Sequence, residues 1–484
     1  MTFVSELQPT ALWSHFDTIL TIPRGSKHEE KARDFVTGIV DRAGLSYDVD
    51  AVGNVVVRKP GTAGREDSPT VILQAHLDMV QEKNSGTDFD FEIDAIRPLM
   101  DGEYLKADGT TLGSDNGIGV AAMLAILESE NIAHGPLEFL FTIDEETGLT
   151  GAGGLAEDLL EGRLLINLDS EEEGVLTIGC AGGADTYLTL PVAHSAADPA
   201  LSALAIRVEG MKGGHSGVDI HLQRGNAVRL LSRVLYSASL ESDFRLASIA
   251  GGNAHNAIPR EANAVIVCAS SDAGDIAGLL EAELAAVGIE LATVDPGFAW
   301  TVGEVAPPAE AIDDSGTARV LELLTALPHG VLGMSPDIEG LVETSTNLAV
   351  VAGAPDSVKI LMSSRSSVMS ALAAVRQRIR AVGSLAGADV SEKDGYPGWK
   401  PDVSSEVLSV MAEVYRSVTG EDAEVGAVHA GLECGIIGEK YPGMDMISFG
   451  PQIEFPHSPD ERVKVPSVEP FWRVLVAALE RLAA

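Results

Sequence analysis

The chain has 484 residues, 45% hydrophobic and 22% charged, with a formal net charge of −39. That length exceeds what a single core usually serves, so two domains are expected, and so acidic a surface excludes nucleic acid and anionic membranes, which need basic patches. No run of ~18 apolar residues marks a membrane span, no signal peptide is read at the start, and three scattered cysteines make neither a disulfide framework nor a CxxC zinc site. A cytoplasmic protein is the expectation.

In chain order, residues 12–43 are expected to be helical, and "VVVRKP" follows as a strand. Short apolar runs then end in polar residues: "TVILQAHLD" (70–78), "LEFLFTIDEE" (137–146), "RLLINLDSEEEG" (163–174) and, much later, "MDMISFGPQIEFPHSPDE" (444–461). Helical patterns such as "NGIGVAAMLAILESE" (116–130) lie between them. Strands alternating with helices predict an α/β fold, a mixed and mostly parallel sheet flanked by helices. Sites in such sheets form beyond the carboxyl ends of the strands.

From about residue 200 the order changes to strand 203–209, helix 223–238, strands 243–250 and 260–270, helix 274–288 and a short strand. A similar order follows: strand 298–304, helix 312–326, strands 341–352 and 356–363, helix 366–383, strand 387–392. Two consecutive βαββαβ-like halves predict an inserted α+β domain built by internal duplication. Proline-rich "YPGWKP" (396–401) marks the return. The expected boundaries are therefore 1–199 plus 398–484 for one discontinuous domain and 200–397 for the insert.

The chemistry gathers at the strand ends. His76 and Asp78 form H-x-D, the pairing in which a carboxylate fixes the tautomer of a ligating imidazole; alone, it equally describes a satisfied histidine. In "GTTLGSDNGIG", Ser114 or Asp115 suits a plain helix cap. Glycines 113, 117 and 119 exceed what a cap needs and let backbone fold tightly around whatever Asp115 contacts. Glu145 and Glu146 make sense as neighbours if one binds a cation and the other handles a proton. Asp169 ends "LLINLD", and His457 stands in "EFPHSPDE" between two stiffening prolines. Imidazole with carboxylate suits zinc, or manganese and cobalt less selectively.

The order H-x-D, G-S-D-N-G, D-E-E-x-G, N-L-D and a late H-S-P resembles the M20 metallopeptidase family over nearly the whole chain. "IPRGSKHEEKARDF", "AHLDMVQEKN", "GGHSGVDIHLQRGNA" and "GGNAHNAIPREA" are most similar to its Xaa-His (aminoacyl-histidine) dipeptidase branch. The resemblance implies a zinc-peptidase-like domain with an inserted lid. It implies two divalent ions, zinc first: His76 and Asp169 on one, Glu146 and His457 on the other, and Asp115 between them. Asp78 would orient His76, and Glu145 would be the general base. In the lid, His215 would face the oxyanion, while Asn256, Arg365 and backbone near Gly431 would grip the substrate.

The implied activity is hydrolysis of unblocked dipeptides, Xaa-His such as β-Ala-His among them, by a homodimer. The alternative is another amidohydrolase of the family: an aminoacylase or deacetylase, a carboxypeptidase or a tripeptidase. A non-catalytic scaffold would be expected to have lost Glu145 or a ligand, and none is lost.

Overall fold

The computed structural model describes residues 2–484, which form two compact units. The first comprises residues up to Gly179 with Trp399–Ala427 and Leu432–Ala484; the second comprises Cys180–Gly398 and Val428–Gly431. Residues 180–199, assigned to the first domain from sequence, fall in the second unit, as does the segment 428–431. The reason is strand pairing: Gly182–Pro191 runs along Ser357–Ser366 in the sheet of the second unit.

In the first unit an eight-stranded sheet has four neighbouring parallel strands at its centre: Leu137–Thr142, Val71–His76, Leu164–Asn167 and Asp445–Ser448. Strands Ser46–Val49 and Val55–Lys59 extend one side antiparallel. Every residue of Val71–His76 and Leu137–Thr142 is buried, as parallel strands covered on both faces require. The helix Ser114–Glu128 is buried at each residue from Ser114 to Leu127, which matches a sequence apolar all round. The opening helical stretch splits into Thr10–Ile19 and Glu30–Ala43, and the break carries Arg24 into the interior.

A four-stranded sheet was not expected from sequence. It pairs Ile453–Glu454, Arg462–Lys464, Tyr104–Ala107 and Pro98–Asp101, so His457 sits at the tip of a hairpin. Phe455 and His457 take positive φ of 54° and 59° there.

The second unit holds a nine-stranded sheet, and its duplication is nested. Ser202–Glu209, helix Ala227–Ser239, strands Arg245–Gly251 and Ala262–Cys268, helix Ala273–Leu291 and strand Ala299–Val305 form one complete βαββαβ half. The other half begins with Gly182–Pro191, before the first, and resumes after it with helix Asp314–Ala326. It continues through strands Val342–Ala354 and Ser357–Ser366, helix Met369–Ala386 and strand Asp389–Glu392. The strand at 299–305 therefore closes the first half instead of opening the second. Its partner decides this, because Ala203 lies opposite Val305. The halves meet edge to edge at Ala250↔Ala352 and Gly251↔Val351, and their helices share one core, Leu231, Ile276, Leu321 and Ile379 among it.

Candidate metal centre and substrate groups

The four central parallel strands deliver their following residues to one edge. His76 ends its own strand, Glu145 and Glu146 open a helical turn after Leu137–Thr142, Asp169 lies two residues past Asn167, and the hairpin after Asp445–Ser448 brings in His457. Asp115 comes from the start of the buried helix, where Gly113 at φ 73° turns the chain and the Asp115–Asn116 peptide is cis. At Gly119 a Cβ would stand 2.9 Å from the Leu168 carbonyl oxygen, so only glycine lets this helix approach the strand end carrying Asp169.

Among the groups of three ligand atoms that result, His76, Asp115 and Asp169 make one and Asp115, Glu146 and His457 another, while His76 also lies within reach of Glu145 and Glu146. Within each, the atoms lie no more than 4.8 Å apart. His76 Nε2 is 3.1 Å from Asp115 Oδ1 and 3.2 Å from Asp169 Oδ1. His457 Nε2 is 3.3 Å from Asp115 Oδ2 and 2.9 Å from Glu146 Oε2. Asp115 thus turns one oxygen to each group. Behind His76, Asp78 Oδ1 lies 3.3 Å from Nδ1, while Nε2 faces the Asp115 and Asp169 carboxylates. This donor set fits a pair of divalent cations, because each imidazole nitrogen faces two carboxylates with no protein cation between them.

Asp78 also accepts the backbone N–H groups of Glu145 (3.0 Å) and Glu146 (3.2 Å) and the Ser26 hydroxyl (2.8 Å). One carboxylate therefore stands against the His76 ring and pins the backbone of the glutamate pair. Asp144, at φ 47°, accepts the Thr147 and Thr150 hydroxyls and shapes the turn.

Sequence reasoning missed two further supports. Buried Arg24 donates to the carbonyls of Leu77 (3.0 Å), Asp78 (2.7 Å) and Gly113, tying the H-x-D loop to the Asp115 loop. Buried Glu461 accepts the N–H groups of Leu112 (2.8 Å), Gly113 (2.9 Å) and Ser114 (2.7 Å) and the Ser114 hydroxyl (2.6 Å). "IPRGS" and the end of "HSPDE" were the only sequence traces of either residue. Glu461→Ala is expected to cost about 3 kcal/mol, since several buried N–H groups lose their acceptor. An unchanged urea midpoint in the metal-free protein would deny it that role.

The electrostatics suit cations and proton transfer. Burial first, then the Asp169, Glu146 and Glu433 carboxylates, hold Glu145 well above the usual carboxylate range. Burial likewise raises Glu146 and Asp169. Glu171, unremarked in the sequence, is pushed up to about 9 by burial and by Asp115 and Asp169. His457 rises to about 11 through its contacts with Asp115 and Glu146. So concentrated a negative charge is what bound cations would offset. Buried Glu433 is raised to about 7 by burial, although the Thr142 hydroxyl donates to it at 2.6 Å, as does Gln74 Nε2.

The remaining predicted residues lie together in the second unit. His215 Nδ1 accepts the N–H groups of Val218 (3.0 Å) and Gly217 (3.3 Å), which puts the ring proton on Nε2. That nitrogen lies 3.4 Å from Arg365 Nη2. Asn256 borders the same loop: its carbonyl accepts the Ser216 N–H at 2.8 Å, and its neighbour Ala257 bridges to His215. Arg365, 6% exposed on the strand Ser357–Ser366, meets no carboxylate among the described residues, and its Nε has no partner. Gly431 belongs to the short segment docked here through the Val428 and Ala430 carbonyls, both of which accept the Ala181 N–H. His429 is held down to about 3 by burial and by the Arg365 charge, and its Nε2 lies 2.7 Å from the Ser345 hydroxyl.

A mixed α/β sheet that gathers two imidazole–carboxylate triads around a shared aspartate, interrupted by an α+β unit, defines the class as that of two-metal hydrolases. Residues 72–481 match the model of peptidase family M20/M25/M40, and the chain belongs to that family. It is 42% identical over 484 residues to the cytosol non-specific dipeptidase of Escherichia coli (strain K12), covering all of both chains. Among solved structures, the aminoacylhistidine dipeptidase from Vibrio alginolyticus superposes with a TM-score of 0.92 at 43% identity, over 99% of this chain and 98% of that one. Aminopeptidase PepT from Bacillus cereus shares the fold, with a TM-score of 0.64 at 17% identity over 99% of this chain and 100% of its own. No helix among the described residues is long and apolar enough to cross a membrane.

Proposed function

We infer that the protein is a metal-dependent dipeptidase that hydrolyses unblocked dipeptides, Xaa-His included. The observation that carries this is Asp115 shared between two ligand triads with Glu145 standing beside them. His76, Asp115 and Asp169 would hold one ion and Asp115, Glu146 and His457 the other, zinc by ligand type, with manganese or cobalt as substitutes. Bound there, the ions would supply Lewis-acid polarisation of the scissile carbonyl and acidify the attacking water.

The chain's own groups do the rest. Glu145 Oε takes a proton from the attacking water and delivers it to the leaving amine. His215, with its proton on Nε2, donates to the oxyanion of the tetrahedral intermediate. Arg365 is a nearly buried guanidinium without an internal carboxylate, an arrangement that costs solvation unless an anion arrives, and the C-terminal carboxylate of a dipeptide is that anion. Asn256 and the backbone at Gly431 hold the rest of the substrate.

His215→Ala is expected to lower kcat by about 100- to 1,000-fold with metal content unchanged; an unaltered kcat would remove it from the oxyanion role. The reading as a whole is tested by offering the metal-reconstituted protein Ala-His, β-Ala-His, acetylated amino acids and tripeptides. Turnover confined to free dipeptides supports it, and preference for an acetylated amino acid or a tripeptide would move the protein to another activity of the family. A cytoplasmic location and a homodimer belong to the same reading. Sedimentation equilibrium at the mass of a single chain would refute the dimer.

A further inference from the structure

Tyr396 lies in "YPGWKP", a stretch the sequence marks only as a return between domains. Its phenol oxygen accepts a hydrogen bond from Arg365 Nη1 at 2.8 Å. The two residues meet across a third: Arg365 is paired with Gly183 in the sheet, and Gly183 is bridged on its other side to Tyr396. Backbone bonds of 3.0 and 3.1 Å between Gly183 and Tyr396 fix that bridge. Three residues thus stand in one row across neighbouring strands, on one face of the pleat. The middle one has no side chain, so the phenol lies over it and reaches the guanidinium. A Cβ at Gly183 would meet Tyr396 Oη, Cζ and Cε1 at 2.6 to 2.9 Å. Gly431 closes the other side, where a Cβ would stand 2.9 Å from the same ring.

A tyrosine hydroxyl can accept one hydrogen bond and donate another. Here the acceptor side is used by Arg365, and the hydroxyl proton has no acceptor among the described residues. Arg365 itself is constrained on three sides. Tyr396 takes Nη1, His215 Nε2 lies 3.4 Å from Nη2, and the Gly217 backbone lies over its stem, where a Cβ would be 3.0 Å from Cδ and 3.1 Å from Nε. The fork is therefore preset in direction, and the phenol O–H stands beside it with a proton to give.

We propose that Tyr396 is a specificity-determining residue for the free C-terminal carboxylate of the substrate: it aims the Arg365 fork and adds its own O–H as a further donor to that carboxylate. This rests on the reading of Arg365 as the carboxylate clamp. It gives the glycines at 183 and 431 a common purpose, which is to leave room for one aromatic ring. It also makes discrimination between a dipeptide and a blocked analogue a property of two residues acting together, because a neutral amide neither draws the guanidinium nor offers two equivalent acceptors.

The test is turnover of Ala-His by the metal-loaded enzyme and inhibition of that turnover by the C-terminal amide of Ala-His, measured for Tyr396→Phe, Gly183→Ala and Arg365→Lys. Tyr396→Phe keeps the ring against its glycines and removes only the hydroxyl. It is expected to raise KM for Ala-His about tenfold, the loss of one hydrogen bond to a charged group, with kcat within twofold and the inhibition constant of the amide unchanged. Gly183→Ala leaves the hydroxyl present but displaced, and the same loss of discrimination is expected. If Arg365→Lys abolishes discrimination while Tyr396→Phe leaves it intact, Tyr396 has no such role and the clamp stands. If neither variant alters it, the clamp itself is wrong. If Tyr396→Phe weakens acid and amide equally, the residue is structural and the proposal falls.

Discussion

Glu145→Ala is expected to cut kcat by up to about 10,000-fold while the protein retains as much divalent metal as the unaltered chain. Both halves of that result come from the geometry. The Glu145 backbone N–H is pinned by Asp78 at 3.0 Å, but its carboxylate takes no hydrogen bond among the described residues. Its neighbour Glu146 is engaged by His457 at 2.9 Å. One glutamate is committed and the other is free, close to His76 and raised in pKa, which is the condition of a group that must accept and release a proton. Elemental analysis of the dialysed variant beside its turnover of Ala-His measures both quantities. Loss of metal would exchange the roles of the two glutamates.

Asp115→Ala should have the largest effect on the metals. Because its two oxygens face different imidazoles, removing it takes a ligand from both groups at once. Affinity is expected to fall more than about 100-fold at each position, beyond what loss of a supporting residue costs. After dialysis, Asp115→Ala should retain no ion, whereas Asp169→Ala and His457→Ala should each retain one. An Asp115→Ala protein that still holds one ion would mean the aspartate serves a single position.

The candidate metal ligands were legible because each follows an apolar run at short range. His76 ends its strand, Asp169 stands two residues past one, and Glu145 and Glu146 follow another. A strand end is a local signal, and parallel strands put their ends on one side. Arg24, Glu461 and Tyr396 were not legible, since their partners are backbone groups or single side chains far away in the chain. Glu461 reaches back to Leu112, 349 residues earlier, and nothing in "SPDE" announces that. The alternation of strands and helices in the first unit came through. The four-stranded sheet did not, because strands as short as Ile453–Glu454 carry no pattern to read.

The duplicated insert failed differently. Its element order was readable, but order does not say which strand pairs with which. Both consecutive and nested halves place strand 299–305 before helix Asp314–Ala326. Only the pairing of Ala203 with Val305 separates the two arrangements.

That nesting makes the inner half a cassette. Its chain enters at Ser202–Glu209 and leaves at Ala299–Val305 on adjacent strands, so its two ends lie side by side like those of a domain inserted into a host loop. A graft from a relative has natural cut points near residues 201 and 306, with Ala250↔Ala352 and Gly251↔Val351 as the sheet seam to be matched. His215 and Asn256 would travel with the graft, while Arg365, Tyr396 and Gly431 would stay with the host. The residues proposed for the oxyanion and those proposed for the carboxylate would thus sit on separately exchangeable parts, so that a graft could retune one without rebuilding the other.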